Sequence, residues 1–387
     1  MRIAVPRMGN LPLIVEDLAR RFDLEYVEMP PFTEETLRIG VSLAPEFACL
    51  PLKAVLGGFV QAIENGADTL VMGGGRGPCR FGYYSEIQRR ILEREGMEFQ
   101  MITFDPPTLW PGSIASFIHA LRLIIPRSKA SLPSLARELT CASKKVIAFD
   151  EVEKIALAIR GLEKEEGSVD NALSRSRQIL SEAFKKDEIE EARKEAIRTF
   201  DRIELNEGEE FLRIGLVGEI FIVLEPYFNF DVERWLARRG VSIERAVSIS
   251  DTISRGKNPV FGFTERQIEK AARPYLEHDV GGDGMLSVGA TVIFAKRSFD
   301  AVIHFLPFTC MPEVIAKSVL KKISEELNIP VLSLTIDEQT GRAGIETRLE
   351  ALIDLARARK LRGTSLSLIA CKNGDDWKDC GTILCEL

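Results

Sequence analysis

Seven cysteines lie along this 387-residue chain, and three of them occupy the same kind of place. Cys49 precedes Pro51 and a helix expected from Leu52. Cys79 follows the apolar run ending near Met72 and the turn GGGRGP, and it precedes a helix near Ser85. Cys310 follows the strand-like AVIHFLP and immediately precedes Met311-Pro312-Glu313, another helix start. Proline favours the first turn of a helix, which marks two of these starts. A helix N-terminus presents N–H groups and the positive end of the dipole, so it lowers a thiol's pKa and stabilises anionic sulfur. An iron–sulfur cluster is a set of thiolates and sulfides that needs such donors. Three protein ligands rather than four leave one iron open, as a catalytic metal site keeps a free position. The separations match no short ferredoxin-type spacing.

The other four cysteines leave alternatives open. Cys141 lies in a charged, helical middle region and reads either as a fourth ligand or as a buried thiol. Cys371, Cys380 and Cys385 fall in the tail CKNGDDWKDCGTILCEL. They would hold a second cluster, complete a larger double cluster with the first three, or be incidental redox-sensitive thiols. The close pairs typical of zinc sites are missing. An odd total fits a disulfide framework poorly.

The elements that must position these residues follow from periodicity. Met1–Val5, Leu24–Glu28, Thr69–Gly73 and Phe99–Phe104 read as strands. They alternate with helices expected at Pro12–Phe22, Lys53–Asn65 and Ser85–Glu95. Such alternation predicts a parallel sheet with helices on both faces. From about Ile114 to Arg213 the strand signal disappears, and Glu151–Gly161, Val169–Phe184 and Glu188–Glu204 read as solvated helices of an insertion or connector. Alternation resumes at Arg213. Ile214–Val217 and Ile220–Leu224 read as β-prone, Val232–Arg239 as a helix closed by Gly240, and Ala301–Leu306 and Val331–Thr335 as strands. Helices are expected at Glu313–Leu327 and Ile345–Lys360. The predicted organisation is thus an α/β domain over 1–125, a helical connector over 126–212, a second α/β domain over 213–360 and a cysteine-containing tail over 361–387. Cys79 and Cys310 then lie at the carboxyl ends of strands, where open α/β sheets place ligands.

Other residues compete for roles. The run Gly73-Gly74-Gly75-Arg76-Gly77 lacks the spacing of a dinucleotide fingerprint and the Lys-Ser or Lys-Thr of a P-loop. It reads instead as backbone room for a bulky ligand beside Cys79. Arg76 and Arg80 would offset cluster charge or bind an anionic substrate, or else make surface ion pairs. His278, in EHDVGGDG with Asp279 and Asp283, is a site candidate; His304, inside an apolar strand, reads as a core residue, and His119 carries no signal. Glu219 ends a strand and would face a cleft between domains. Glu313 is placed to cap its helix. Asp337 and Glu338 end the last strand and read as cleft-facing or as turn formers.

The net charge of −7 argues against nucleic acid as the main ligand, because no excess of basic charge is available to neutralise phosphates. No apolar run approaches the ~20 residues of a membrane span. The N-terminus has no charged-then-apolar signal pattern, so the chain is expected in the cytoplasm, where structural disulfides are rare.

Five segments together resemble one family: EFACLPLKAVLGGF, GGGRGPCRFGYY, GEIFIVLEPYFNFDVERWLARRGV, FLPFTCMPEVIAKSVL and LTIDEQTGRAGIETRLEALID. It is the group related to 2-hydroxyacyl-CoA dehydratase components, the acyl-CoA dehydratase activase-related proteins. The resemblance covers roughly Ile3–Leu121 and Arg213–Asp354; the helical middle matches loosely and the tail does not match. It implies two flavodoxin-like domains with a [4Fe–4S] cluster between them, ligated here by Cys49, Cys79 and Cys310. It also implies a separate ATP-hydrolysing activase that delivers low-potential electrons.

The chain is therefore expected to accept such electrons and pass them to a small-molecule substrate at the open iron. It contains no ATPase motif of its own. Rival expectations are a 2-hydroxyacyl-CoA dehydratase subunit acting on CoA thioesters, a non-catalytic cluster carrier or scaffold, and a zinc-binding or cluster-free α/β protein. A homodimer is the default assembly.

Overall fold

A computed structural model describes residues 1–75, 78–104, 119, 120, 122, 123, 132–206, 211–254 and 263–371. Two four-stranded sheets, both entirely parallel, organise the chain. The first contains β1 (Arg2–Ala4), β2 (Glu25–Tyr26), β3 (Thr69–Gly73) and β4 (Gln100–Phe104), in the order β2-β1-β3-β4. The second contains β5 (Leu212–Gly218), β6 (Val241–Arg245), β7 (Ala301–Pro307) and β8 (Val331–Ile336), in the order β6-β5-β7-β8. Helices flank both sheets. The repeated order is that of flavodoxin-like domains, with the direction of winding reversing between β1 and β3 and again between β5 and β7.

The central strand β7 shows why the second sheet forms. All seven of its residues are buried, as befits a parallel strand covered on both faces. β5 pairs with it from Ile214 opposite Ala301 to Gly218 opposite Phe305. At that last pair the chain must turn sharply. Gly218 has φ +135°, and a Cβ there would sit 2.1 Å from the Phe305 carbonyl oxygen. Only glycine satisfies both conditions.

Close backbone packing fixes the first helix of the cysteine set. Helix Leu50–Glu64 lies against helix Glu34–Leu43 at Gly40 and Gly57, where a Cβ would meet the carbonyl oxygens of Lys53 and Thr36 at 1.8 and 1.9 Å. The Leu50–Glu64 helix is almost wholly buried, so its polar face is nearly absent.

A single apolar cluster runs through both α/β units, from Ala4, Phe59 and Leu70 to Ile214, Phe305 and Ile353. Phe32 packs edge-on against Phe221, with ring centroids 5.4 Å apart. The charged middle forms helices Leu132–Ile159, Ser168–Glu182 and Lys186–Arg198, with a core of its own around Phe149, Val152, Leu180 and Ile189. It also ties the units together. Asp150 accepts hydrogen bonds from the Asn10 side chain after β1 and the Ser250 amide after β6, both at 2.8 Å. Arg245, at the end of β6, is buried against Glu153 and Glu233.

Several elements differ from the sequence expectation. Ile220–Leu224 is a short helix rather than a strand, because Glu219 caps it by accepting the Ile222 amide at 3.1 Å. Helix Gly284–Lys296 carried no amphipathic signal, since most of it is buried between neighbouring helices. The last helix, Arg342–Cys371, runs past Lys360 and packs Ile345, Leu349 and Ile353 into the main core. Among the described residues no helix is long and apolar enough to cross a membrane.

Candidate functional site

The three cysteines come together from loops of both units, each as the residue that begins a helical turn. Cys49 starts helix Leu50–Glu64, Cys79 the 3-10 turn Arg80–Tyr83, and Cys310 helix Met311–Glu326. Their backbones share one extended posture, with φ of −69°, −69° and −70°. Cys79 follows β3 and Cys310 follows β7, the strands that border the two reversal points. Each thiol is close enough for its charge to disfavour ionisation of a neighbour: Cys79 and Cys310 are both coupled to Cys49 in this way.

Burial pushes the Cys49 thiol up to about 11, and it raises Cys79 and Cys310 as well. Local donors oppose it. The Phe81 amide favours the Cys79 thiolate, and the Glu313 amide does the same for Cys310, although without the geometry of a hydrogen-bonded cap. Cys49 has the buried hydroxyl of Tyr84 against its sulfur.

Arg80 closes the cysteine loops on one another. Its guanidinium donates to the Phe47 carbonyl at 2.9 Å and to the Thr309 carbonyl at 2.8 Å, joining the residues just before Cys49 and Cys310. Thr309 also donates its hydroxyl to the Phe47 carbonyl at 3.2 Å. This β-branched residue has φ +66°, a conformation it holds only when its surroundings impose it.

The loop before helix Gly284–Lys296 forms one wall. A Cβ at Gly281 would lie 2.9 Å from the Cys79 nitrogen, and one at Gly282 would lie 3.5 Å from its sulfur. Gly73 and Gly75 make room for the Phe81 ring, which a Cβ at either position would meet at 3.2 or 2.8 Å. These two glycines thus accommodate a neighbouring side chain of the protein.

Three carboxyl groups stand behind the thiols. Glu219 caps the short helix after β5, and Asp283 accepts the Ile220 amide at 3.0 Å. Desolvation, with Asp283 beside it, raises Glu219 to about 8. Desolvation, with Glu313 beside it, raises Asp283 to about 7. Both keep some contact with solvent. Glu313 is turned inward instead of capping its helix: one oxygen meets His304 Nε2 at 2.8 Å, and the other is buried without a partner. His304 is a satisfied core residue, its Nδ1 paired with the Ser333 hydroxyl at 3.0 Å.

Apolar side chains stand out into solvent around the cysteine loops. Phe47 and Tyr83 are each 69 % exposed and Phe308 55 %, with Phe81 and Val314 also exposed. Each loop therefore contributes an aromatic ring within four residues of its cysteine.

Other candidates fall differently. Lys53, nearly buried one turn into the Cys49 helix, reaches Glu338 of the second unit at 2.8 Å, while Asp337 forms its own turn with Gln339 and Thr340. The His278 side chain points into solvent beside Glu277. Cys141 packs in the separate core of the helical segment. Cys371 ends the last helix; its side chain, Arg76, Cys380 and Cys385 lie outside the described residues. Sequence reasoning missed Tyr84. Its signal was only a second tyrosine after GPCRFG, indistinguishable there from ordinary core.

Thiol donors suit a soft metal or a metal–sulfur group. Three thiols converge at helix starts, two glycines leave the wall beside Cys79 bare, and one buried carboxylate oxygen lacks a partner. Among the described residues no three His, Cys, Asp or Glu side chains are close enough to share one metal ion.

The chain matches no protein-family model, and no curated protein is significantly similar to it.

Proposed function

We propose that this protein binds an iron–sulfur cluster between its two α/β units through Cys49, Cys79 and Cys310. In this reading it accepts low-potential electrons from an ATP-dependent activase-type reductase and passes them to a small-molecule substrate. One observation carries it: three cysteines, far apart in sequence and drawn from both units, meet at the starts of helical turns and couple to one another electrostatically.

A cluster bound there would supply one-electron chemistry. The protein's own groups have complementary tasks. Backbone amides at Phe81 and Glu313 favour anionic sulfur. Glu219 and Asp283, raised into the neutral range, are able to hold a proton beside the site. Arg80 adds positive charge near Cys49 and Cys79. The rim of Phe47, Tyr83 and Phe308 offers a docking face for a donor protein, since exposed aromatic rings mark such surfaces. A [4Fe–4S] type, a cytoplasmic location and a homodimeric assembly belong to the same proposal.

The test is anaerobic purification followed by iron and acid-labile sulfide analysis and EPR after reduction. About four irons per chain, lost in Cys49→Ser, Cys79→Ser and Cys310→Ser, is the expected result. The same iron content in a chain truncated before Cys371 assigns the cluster to these three alone. No iron after anaerobic reconstitution overturns the proposal.

A further inference from the structure

Tyr84 begins helix Tyr84–Arg94, directly after the turn that carries Cys79. Its side chain is buried, and its phenolic oxygen lies against the Cys49 sulfur, 35 positions earlier in the chain. The Phe81 ring packs on the Tyr84 ring, centroids 5.3 Å apart. The hydroxyl therefore links two of the three cysteine loops. Through the helix start it belongs to the Cys79 segment, and through its oxygen it meets the Cys49 sulfur.

Burying a tyrosine hydroxyl without a partner is costly, and phenylalanine would fill the same space at no such cost. The sulfur is the partner this structure provides. A phenolic O–H directed at a thiolate ligand does two things: it holds the sulfur in one rotamer, and it withdraws electron density from it. Hydrogen bonds to cluster sulfurs and ligand thiolates are among the levers that set reduction potential, and donors just outside the ligand set govern how firmly metal is held.

We propose that Tyr84 is a positioning residue for Cys49, donating its hydroxyl proton to the ligand sulfur, tightening cluster retention and raising the reduction potential. This rests on the cluster-binding reading above. The test uses the full chain, reconstituted anaerobically with iron and sulfide, as wild type, Tyr84→Phe and Tyr275→Phe. Tyr275 lies against Lys322, three turns along the helix that Cys310 begins.

Tyr84→Phe is expected to load the same iron, to lose it to a chelator about tenfold more readily, and to show a more negative midpoint potential with altered EPR g-values. Tyr275→Phe should match wild type in all three. Thermal unfolding of the metal-free proteins reports any general loosening. A metal-free Tyr84→Phe protein that melts with wild type yet differs in potential separates tuning from folding. If Tyr84→Phe does not fold, a fluorinated tyrosine at position 84 keeps the ring, strengthens the donor and should move the potential the other way. Wild type that binds no iron overturns the cluster reading and this inference with it. Wild type that binds iron, with the altered residue leaving potential, g-values and retention unchanged, overturns the Tyr84 inference alone.

Discussion

The Arg80 guanidinium donates to the Thr309 carbonyl at 2.8 Å across 229 positions of sequence. Its other terminal nitrogen takes the Phe47 carbonyl, so one side chain fixes the approaches to Cys49 and Cys310 together. A planar guanidinium can serve two acceptors in this way; an ammonium on a flexible stem holds them less well. The cysteine site is thus built by a contact between the units, not by either unit alone.

Replacing that clip should loosen the site more than the fold. Arg80→Lys is expected to cost only about 1 kcal/mol in urea unfolding, because the bonds are solvent-exposed. Hydrogen exchange at the amides around Thr309 and Phe47 should rise clearly. Unchanged exchange in these two loops would show that the clip is dispensable.

Lys53 and Glu338 form the second bridge between units, with the ammonium far more buried than the carboxylate. Glu338→Ala leaves that ammonium without its partner and should cost about 2–3 kcal/mol. Pairing Lys53→Met with Glu338→Leu should recover most of the loss. A double-mutant cycle of urea midpoints with no coupling term would remove this bridge from the account.

His304 and Glu313 are both fully buried, and His304 Nε2 is the partner of one Glu313 oxygen. His304→Leu should destabilise by about 3 kcal/mol by stripping the carboxylate of its partner. Ser333→Ala, which removes only a hydroxyl, should cost about 1 kcal/mol. The order of the two losses is the diagnostic measurement, and equal losses would contradict the buried pair.

Acidity offers a further check on the metal-free protein. Glu219 is raised from 4.5 to about 8 and Asp283 from 3.8 to about 7, so the folded state holds protons that the unfolded state releases. Their contribution to stability is present in full below about pH 4. It is lost as pH climbs through 7 to 8. Because both groups retain solvent contact, the decline should be only about 1–2 kcal/mol. Glu219→Gln should flatten the slope of stability against pH between 5 and 8, and a slope identical to wild type would place the carboxylate in water.

Much of the architecture was legible in the chain itself. Thr69–Gly73 was delimited from its apolar run and the glycines after it, and β7 from a continuous buried stretch, because strand and helix periods are local properties. The three cysteines were marked by position, each just ahead of a helix start. Local signals failed where burial removes periodicity, as in helix Gly284–Lys296, or where a cap overrides propensity, as Glu219 does for Ile220–Leu224.

By itself, then, the sequence determined the alternation of strands and helices, the cysteines that begin helical turns, and the excess of negative charge. Only the tertiary structure decided which of these meet. Arg80 lies next to Cys79 in the chain, but its acceptors are at Phe47 and Thr309; Tyr84 is an ordinary tyrosine until its hydroxyl meets Cys49; Lys53 finds Glu338 only when the two units pack. The reason is physical. Secondary structure answers to neighbours a few residues away, whereas a site built from two sheets depends on which loops their winding brings to the same edge.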